Sequence, residues 1–313
     1  MDKNKFENKI FLAPMAGVSD CAFRYMTEKY GADGTYSEMI SAKALVYQDR
    51  KSKGLARRIS VCDDALFAVQ LFGRKSDIMK EAAYKIGNCD YIDINCGCPA
   101  PKIAKNGEGS ELMKEPALIG KLIRAVKSAG KIVTIKMRAG TDEKSINCIE
   151  IAKIAEDSGA SAVMLHPRLA VQQYRGHADW SLIEKVKQSV KIPVIGNGDI
   201  LSGADAKKMI KDTGCDAVAI GRAAWGAPWI FRDVKNHMAD KAPLILSAEE
   251  KMADIKEHFA LMEEDKGTYI AALEARKHAC WYIHGLKGAA VARESIMHSS
   301  SIDEIVDIIE RLM

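Results

Sequence analysis

The sequence has no long hydrophobic run. No stretch approaches the roughly 18 consecutive apolar residues that indicate a transmembrane helix, and residues 1–7 lack the apolar segment of a secretory signal peptide. It also contains no internal repeat of solenoid length and no low-complexity segment. We therefore expect a globular protein that does not bind a membrane and stays in the cytoplasm.

Paired cysteines are also missing. The eight cysteines lie at positions 21, 62, 89, 96, 98, 148, 215 and 280, and none forms a C-x-x-C pair. This scatter predicts free, mostly buried thiols in a reducing compartment, with neither a disulfide framework nor a zinc site. We expect no metal. Cys98 is set apart by its position, because it stands between Gly97 and Pro99 after an apolar segment.

The excess of positive charge is small, at +4 over 313 residues, but it is unevenly distributed. Residues 244–313 contain eight Lys or Arg and thirteen Asp or Glu, so the first 243 residues carry the whole positive excess. This distribution permits an anionic partner on the first part of the chain. Many soluble enzymes have a similar balance, so charge alone decides nothing.

Short apolar segments alternate with amphipathic helical segments over residues 1–243. Several of these segments are near-continuous runs of Val, Ile and Leu, which is typical of parallel strands buried on both faces. Eight strand–helix units in about 240 residues predict a (β/α)8 TIM barrel of the α/β class. A doubly wound open sheet is the rival, but no G-x-G-x-x-G follows the first strand. The predicted strands are Ile10–Ala13, Gly34–Glu38, Leu66–Leu71, Tyr91–Ile94, Ile132–Met137, Ala162–His166, Pro193–Gly196 and Ala217–Ile220.

Helix-start signals fix several boundaries. Ser19 and Ser202 are predicted N-caps, and Pro116 fits the first turn of a helix. Ser247 followed by Glu250 is a capping-box pattern, and from there to the end the apolar spacing is helical. We therefore predict a catalytic barrel over residues 1–243 and a small domain of three or four helices over residues 244–313.

Polar residues gather where the predicted strands end. In a (β/α)8 barrel the chemistry lies at the C-terminal ends of the strands, so these side chains should share one opening. The glycines at the ends of the last two strands, with Arg222, would suit a phosphate group; alternatively they only make tight turns. The polar residues at the strand ends are Gln70, Asn95, Cys98, Lys136, Arg138, His166, Arg168, Asn197, Asp199 and Arg222.

Several of these segments together resemble the tRNA-dihydrouridine synthase family, and most resemble its B-type bacterial branch. The similarity follows the chain in order and includes Arg276-Lys277-His278 and Trp281-Tyr282 near the end. The cysteine motif is the most specific part. The matching segments are 13–20 (APMAGVSD), 95–99 (NCGCP, the cysteine motif), 134–138 (TIKMR), 195–200 (IGNGDI) and 219–223 (AIGRA).

The resemblance implies FMN at the opening of the barrel, reduced by NADPH. The family reaction reduces the C5=C6 bond of a uridine in tRNA: the flavin passes a hydride to C6, and Cys98 gives a proton to C5. A thiol in that role must be protonated, and it acts as a general acid. The cofactor-binding residues implied are Pro14, Met15, Ala16, Gln70, Lys136, His166, Asn197, Gly198, Asp199, Gly221 and Arg222.

The resemblance also implies that a uridine must leave the folded tRNA to reach this opening. Residues 276–293 contain four basic residues and no acidic one, with Trp281 and Tyr282 among them. This segment either contacts RNA or packs its aromatic face on the barrel. The predicted substrate-binding residues are Asn95 and Arg168 at the uracil edge, Arg138, and Lys102, Lys105, Arg276 and Lys277 at RNA phosphates.

One segment departs from the family pattern. The B-type branch usually reads His-Gly-Arg-Thr-Arg, whereas residues 166–170 read HPRLA. We expect altered tRNA contacts or another target position, with flavin chemistry kept. Restoring arginine at Ala170 should change tRNA affinity or the modified position, and no change in either would contradict this expectation.

Two other functions remain open from the sequence. One is a related FMN barrel oxidoreductase that acts on a free pyrimidine, which would need neither a helical domain nor a basic cysteine loop. The other is an RNA-binding homologue that has lost catalysis, although Cys98, Lys136 and His166 are all present.

Overall fold

The strands of the computed structural model form a closed parallel barrel. The structure describes residues 5–47, 54, 56–57 and 64–313. Each barrel strand pairs in parallel with its two neighbours, and pairing of the second strand with the fourth completes the closure. The strands are β1 Lys9–Leu12, β2 Gly34–Tyr36, β3 Ile40–Ser41, β4 Leu66–Phe72, β5 Tyr91–Cys96, β6 Val133–Gly140, β7 Ala162–Leu169, β8 Val194–Asn197 and β9 Ala217–Ile220.

The predicted (β/α)8 barrel is confirmed, and all eight predicted strands are present within a few residues of their expected bounds. The two-residue strand β3 was not predicted; it pairs with the end of β4 beside the barrel. Strands β6 and β7 extend about three residues beyond their predicted ends. As a result Arg138 and Arg168 lie within strands, and both are buried.

Helices cover the outside of the barrel and follow it. Apolar residues between sheet and helices make the main core, while a smaller cluster that includes Phe11, Tyr36 and Met164 fills the barrel interior. The helices are α1 Cys21–Lys29, α2 Ala42–Val46, α3 Ser76–Lys85, α4 Pro101–Ala104, α5 Pro116–Lys127, α6 Cys148–Asp157, α7 Ser181–Ser189, α8 Gly203–Thr213, α9 Ile230–Met238, α10 Ala248–Lys266, α11 Thr268–Tyr282, α12 Ala289–His298 and α13 Ile302–Glu310.

Most of the predicted helix starts are confirmed. Ser202 caps α8, Pro116 opens α5, and Ser247 with Glu250 forms the capping box of α10. The prediction for Ser19 was wrong by one residue: the carboxylate of Asp20 caps α1 by accepting from the Phe23 amide at 2.8 Å. Both residue types favour this position, and the Ser19 hydroxyl is instead used to accept from the Met15 amide.

Helices α10 to α13 have a hydrophobic cluster of their own, which also takes in Ala22 of α1. Polar contacts join them to the barrel: Lys29 donates to Asp254 at 2.8 Å, and Lys266 pairs with the buried Asp20. Four helices agree with the predicted three or four. The assignment of residues 244–313 to tRNA binding stays a prediction.

The described cysteines agree with the expectation of free thiols. The seven cysteines in the described part of the chain are free, and Cys62 lies outside it. Within these same residues no group of three or more His, Cys, Asp or Glu could hold a metal ion. Among the helices described, none combines the length and apolarity that crossing a bilayer requires.

Candidate active site

A cavity of about 520 Å³ opens at the C-terminal ends of the strands. Cys98 and ten of the eleven predicted cofactor-binding residues line it, so residues from six separate segments meet as predicted. Gln70 does not line it, and neither do the seven predicted substrate-binding residues. The predicted residues at the cavity wall are Pro14, Met15, Ala16, Cys98, Lys136, His166, Asn197, Gly198, Asp199, Gly221 and Arg222.

The loop after β1 is held from two sides. Gly17 has φ +70°, and its amide donates to the carboxylate of Glu38 while its carbonyl accepts from the ammonium of Lys277. Burial raises the pKa of Glu38. Sequence reasoning missed Glu38 because no motif marks it, and it placed Lys277 on RNA instead. The loop that carries Pro14 to Ala16 is therefore fixed by the barrel and by α11 together.

The backbone around Cys98 is held by two buried side chains. The amide oxygen of Asn95 accepts from the Cys98 and Gly97 amides at 2.9 and 3.2 Å, and Arg138 donates to the Gly97 carbonyl at 2.9 Å. Cys98 is half-buried at the cavity, whereas Cys96 is fully buried and burial raises its pKa. Burial and position therefore support Cys98, and not Cys96, as the thiol that can meet a ligand.

A chain of hydrogen bonds runs behind the cavity wall. Asn95 donates to the oxygen of Gln70 at 2.8 Å, Gln70 donates to Asp93 at 2.7 Å, and Thr134 donates to Asp93 at 2.6 Å. These hydrogen bonds fix the orientation of the Gln70 amide, whose oxygen and nitrogen both bond to other side chains of the protein. Its predicted contact with the flavin stays a prediction. Asp93 was missed, although an acid within the apolar segment Tyr91–Cys96 was a visible signal.

Burial affects the pKa values of Lys136 and Asp93 more than their mutual attraction does. Burial raises the pKa of Asp93 to about 6, against the lowering effect of Thr134, Gln70 and Lys136. Burial also lowers the pKa of Lys136 to about 8, with Arg138 adding to this and Asp93 opposing it. Lys136 lines the cavity, so its ammonium is available to an anionic group there.

Replacing Asp93 with asparagine is expected to remove a pH-dependent loss of stability. Between about pH 4 and 6, Asp93 is more often protonated in the folded protein than in the unfolded chain. The free energy of unfolding therefore falls as pH rises through this range. The fall should be about 3 kcal/mol for the wild type relative to the variant. Urea unfolding of both at pH 4 and 7, with exposed Asp77→Asn as control, measures it; parallel pH profiles would contradict it.

His166 is neutral in this setting. A guanidinium nitrogen of Arg168 lies 3.2 Å from Nε2 of His166, and because arginine can only donate, Nε2 accepts and the ring proton sits on Nδ1. Burial and then the charge of Lys136 hold the pKa of His166 far below its usual range. The imidazole therefore offers the cavity a neutral polar edge and no charge.

Arg168 is bonded to the protein and does not face the cavity. Its guanidinium donates to both oxygens of Asp199 at 2.8 Å and to the Gly176 carbonyl at 2.7 Å, and its side chain is 2% exposed. Burial raises the pKa of Asp199, but the Ala178 amide and Arg168 lower it below its usual value. Arg168 therefore orders the loop after β8, and its predicted contact with the base stays a prediction.

The two glycines at the last strand ends differ. Gly198 has φ +110°, and a Cβ there would lie 2.7 Å from His166, so the turn itself requires glycine. Gly221 has φ −108°, and the nearest atom to its hypothetical Cβ is the Met15 sulfur at 3.8 Å. Gly221 therefore leaves open space beside Arg222 and the 3₁₀ turn Arg222–Ala224. The tight-turn explanation accounts for Gly198 but not for Gly221.

The C-terminal residues predicted to contact RNA are partly used in packing. Arg276 donates to the Ser299 carbonyl at 3.0 and 2.6 Å, and Trp281 stacks on Trp225 with ring centroids 4.6 Å apart. Lys102 and Lys105, by contrast, are exposed on and just after α4, which follows Cys98 in the chain. Trp281 therefore packs on the barrel, which is the second of the two predicted alternatives. Lys102 and Lys105 are exposed and could contact a polyanion.

Two aromatic residues complete the cavity wall. Tyr174 lies 54% exposed with the Arg222 guanidinium 4.8 Å from its ring centre, and Trp225 places its indole nitrogen 3.1 Å from the Met15 sulfur. Neither Tyr174 nor Trp225 belongs to a motif identified in the sequence. Their positions depend on folding of the loops after β7 and β9, which no short motif specifies.

Comparison with known proteins gives concordant results. The family model described as dihydrouridine synthase (Dus) matches residues 11–311. The tRNA-dihydrouridine synthase B of Vibrio vulnificus is 40% identical over 283 residues, which are 89% of this chain and 87% of that protein. A probable tRNA-dihydrouridine synthase of Rickettsia conorii is 38% identical over 93% of this chain and 89% of its own length.

A solved structure supports the fold. The old yellow enzyme homologue from Zymomonas mobilis has a TM-score of 0.51 and 14% identity, and the match covers 78% of this chain and 92% of that one. At this identity the similarity concerns the barrel architecture alone.

Proposed function

Because this chain belongs to the dihydrouridine synthase family, we propose that it is a flavin-dependent oxidoreductase that reduces the C5=C6 bond of specific uridines in tRNA. The observation that carries the proposal is Cys98 at the wall of a cavity that also contains Lys136 and the open Gly221–Arg222 corner. The cofactor is FMN and the reductant is NADPH. The relatives named above act on tRNA by their names, which supports the same substrate here.

The cavity residues fit a flavin mononucleotide. The free space at Gly221, the backbone amides that follow it and the half-exposed Arg222 guanidinium suit a phosphate group. At the other end, Lys136 suits the edge of the ring system that becomes negative on reduction. Pro14, Met15 and Ala16 supply a fixed apolar wall. When bound, the flavin supplies the hydride.

Cys98 donates the proton. Arrival of a hydride at C6 of uracil builds negative charge on C5 and O4, so a neutral acid is needed at C5. The Cys98 thiol is half-buried at the cavity, and its backbone is fixed by Asn95 and Arg138. Neutral His166 can hold a polar edge of the base without drawing off that proton.

Purified protein tests the proposal directly. It should be yellow with flavin absorbance, NADPH should bleach that absorbance without oxygen, and unmodified tRNA should restore it while free uracil and uridine do not. Restoration by free pyrimidine would favour the related barrel oxidoreductase. A colourless protein that binds tRNA would favour the inactive homologue.

A further inference from the structure

A second pocket of about 450 Å³ lies next to the cavity, between the barrel and the C-terminal helices. Arg222 and Trp225 line both, so the two spaces adjoin. The residues that line the second pocket alone come from the loop after β9, from α10, from the end of α11 with the turn that follows it, and from Met313. They are Gly226, Ala227, Trp229, Lys251, Ile255, Trp281, Tyr282, His284, Leu286 and Met313.

The walls of this pocket combine aromatic faces with positive charge. Four aromatic side chains line it, and the ammonium of Lys251 lies 5.6 Å from the centre of the Trp229 ring. The described lining includes Arg222, Lys251 and His284 but no Asp or Glu side chain. Stacking surfaces beside cations suit an aromatic base that carries a phosphate, and this combination recurs in sites for single-stranded nucleic acid.

The pocket is preformed because the loop after β9 and the end of α11 are in backbone contact. A Cβ at Gly226 would lie 2.4 to 2.6 Å from the backbone of Trp281 and Tyr282, so the loop after β9 packs directly on the end of α11. The Trp225–Trp281 stack adds to this joint. A ligand therefore need not order the aromatic walls before it stacks on them.

We propose that the second pocket binds a nucleotide of the RNA strand next to the uridine held at Cys98, with its base on the aromatic wall and its phosphate beside Lys251. This inference rests on the proposed function. Contact with the cavity through Arg222 and Trp225 suits a nucleotide joined to the reacting one. The adenosine end of the reductant offers similar chemistry, so the test must distinguish the two.

Steady-state kinetics with the flavin-loaded protein tests the proposal. Lys251→Glu should raise the KM for tRNA about tenfold, and Lys251→Gln should lower the slope of log KM against log salt by about 0.7, the value for one phosphate contact. Trp229→Leu should raise the KM about tenfold, with much of this restored in Trp229→Phe because a ring remains to stack on. The KM for NADPH should not change. Lys121→Gln on exposed α5 is the matched control.

Two outcomes would overturn the inference. An unchanged KM for tRNA in Lys251→Glu, or a raised KM for NADPH alone, would assign the pocket to packing or to the reductant. Neither outcome touches the proposed function, which fails only if the unaltered protein does not reduce uridine in tRNA. Lys251 is half-exposed, so its variants should fold even if Trp229→Leu does not.

Discussion

Replacing Cys98 with alanine is expected to slow dihydrouridine formation at least about 10²-fold, the typical effect of losing a general acid. Flavin content and the rate of flavin reduction by NADPH should stay as in the unaltered protein, because the thiol acts only on the base. Anaerobic stopped-flow measurement separates the two half-reactions: reduction by NADPH is followed first, and reoxidation by unmodified tRNA second.

The control for this variant is Cys89→Ala. Cys89 is also half-buried, but it precedes β5 and so lies at the opposite end of the barrel from the cavity. It should reoxidise at the rate of the unaltered protein. Equal reoxidation rates for Cys98→Ala and Cys89→Ala would remove Cys98 from the role of proton donor.

Replacing Lys136 with methionine is expected to slow flavin reduction by about 10²-fold, the scale of losing one preorganised group at a developing charge. Methionine keeps most of the length of the side chain and removes the cation. The amine of Lys136 has a pKa of about 8, so it is charged below that pH and neutral above it. The reduction rate of the unaltered protein should therefore fall as pH rises beyond about 8, and the variant should lack this fall.

Stopped-flow reduction by NADPH from pH 6 to 9.5 tests both parts of this prediction. Lys121→Met, an exposed site on α5 away from the cavity, is the control and should match the unaltered protein. A variant at Lys136 that is reduced at the normal rate would show that this ammonium does not stabilise the reduced cofactor.

The barrel could be predicted because its strands are buried on both faces and so appear as apolar runs between capped helices. The cavity wall followed from one rule: side chains at the C-terminal ends of parallel strands share an opening. This rule brought Cys98, Lys136 and His166 together from three distant segments, and the structure confirms that all three line one cavity.

What the sequence did not reveal depends on side-chain direction and on loops. The sequence did not show that β6 and β7 extend far enough to bury the guanidinium groups of Arg138 and Arg168 against backbone carbonyls and Asp199. Glu38 acts on a loop 21 residues away in sequence. Spacing along a chain does not carry these contacts, because they depend on the rotation of each strand within the closed sheet.

The second pocket could not be predicted from the sequence for a similar reason. Trp281 was read correctly as part of an aromatic and basic helix, but its partner Trp225 lies in the loop after β9. Only the joint between the barrel and α11, fixed by Gly226, brings these rings together. The sequence thus marked part of this aromatic and basic surface without predicting the pocket that it helps to form.

The central claim is that this protein reduces uridine in tRNA, and a map of dihydrouridine tests it most directly. Total tRNA from cells with the gene and from cells lacking it should be compared position by position. We expect dihydrouridine to disappear from a defined position when the gene is deleted and to return when the protein, but not its Cys98→Ala variant, is supplied. Identical maps from the two cell lines would contradict the claim.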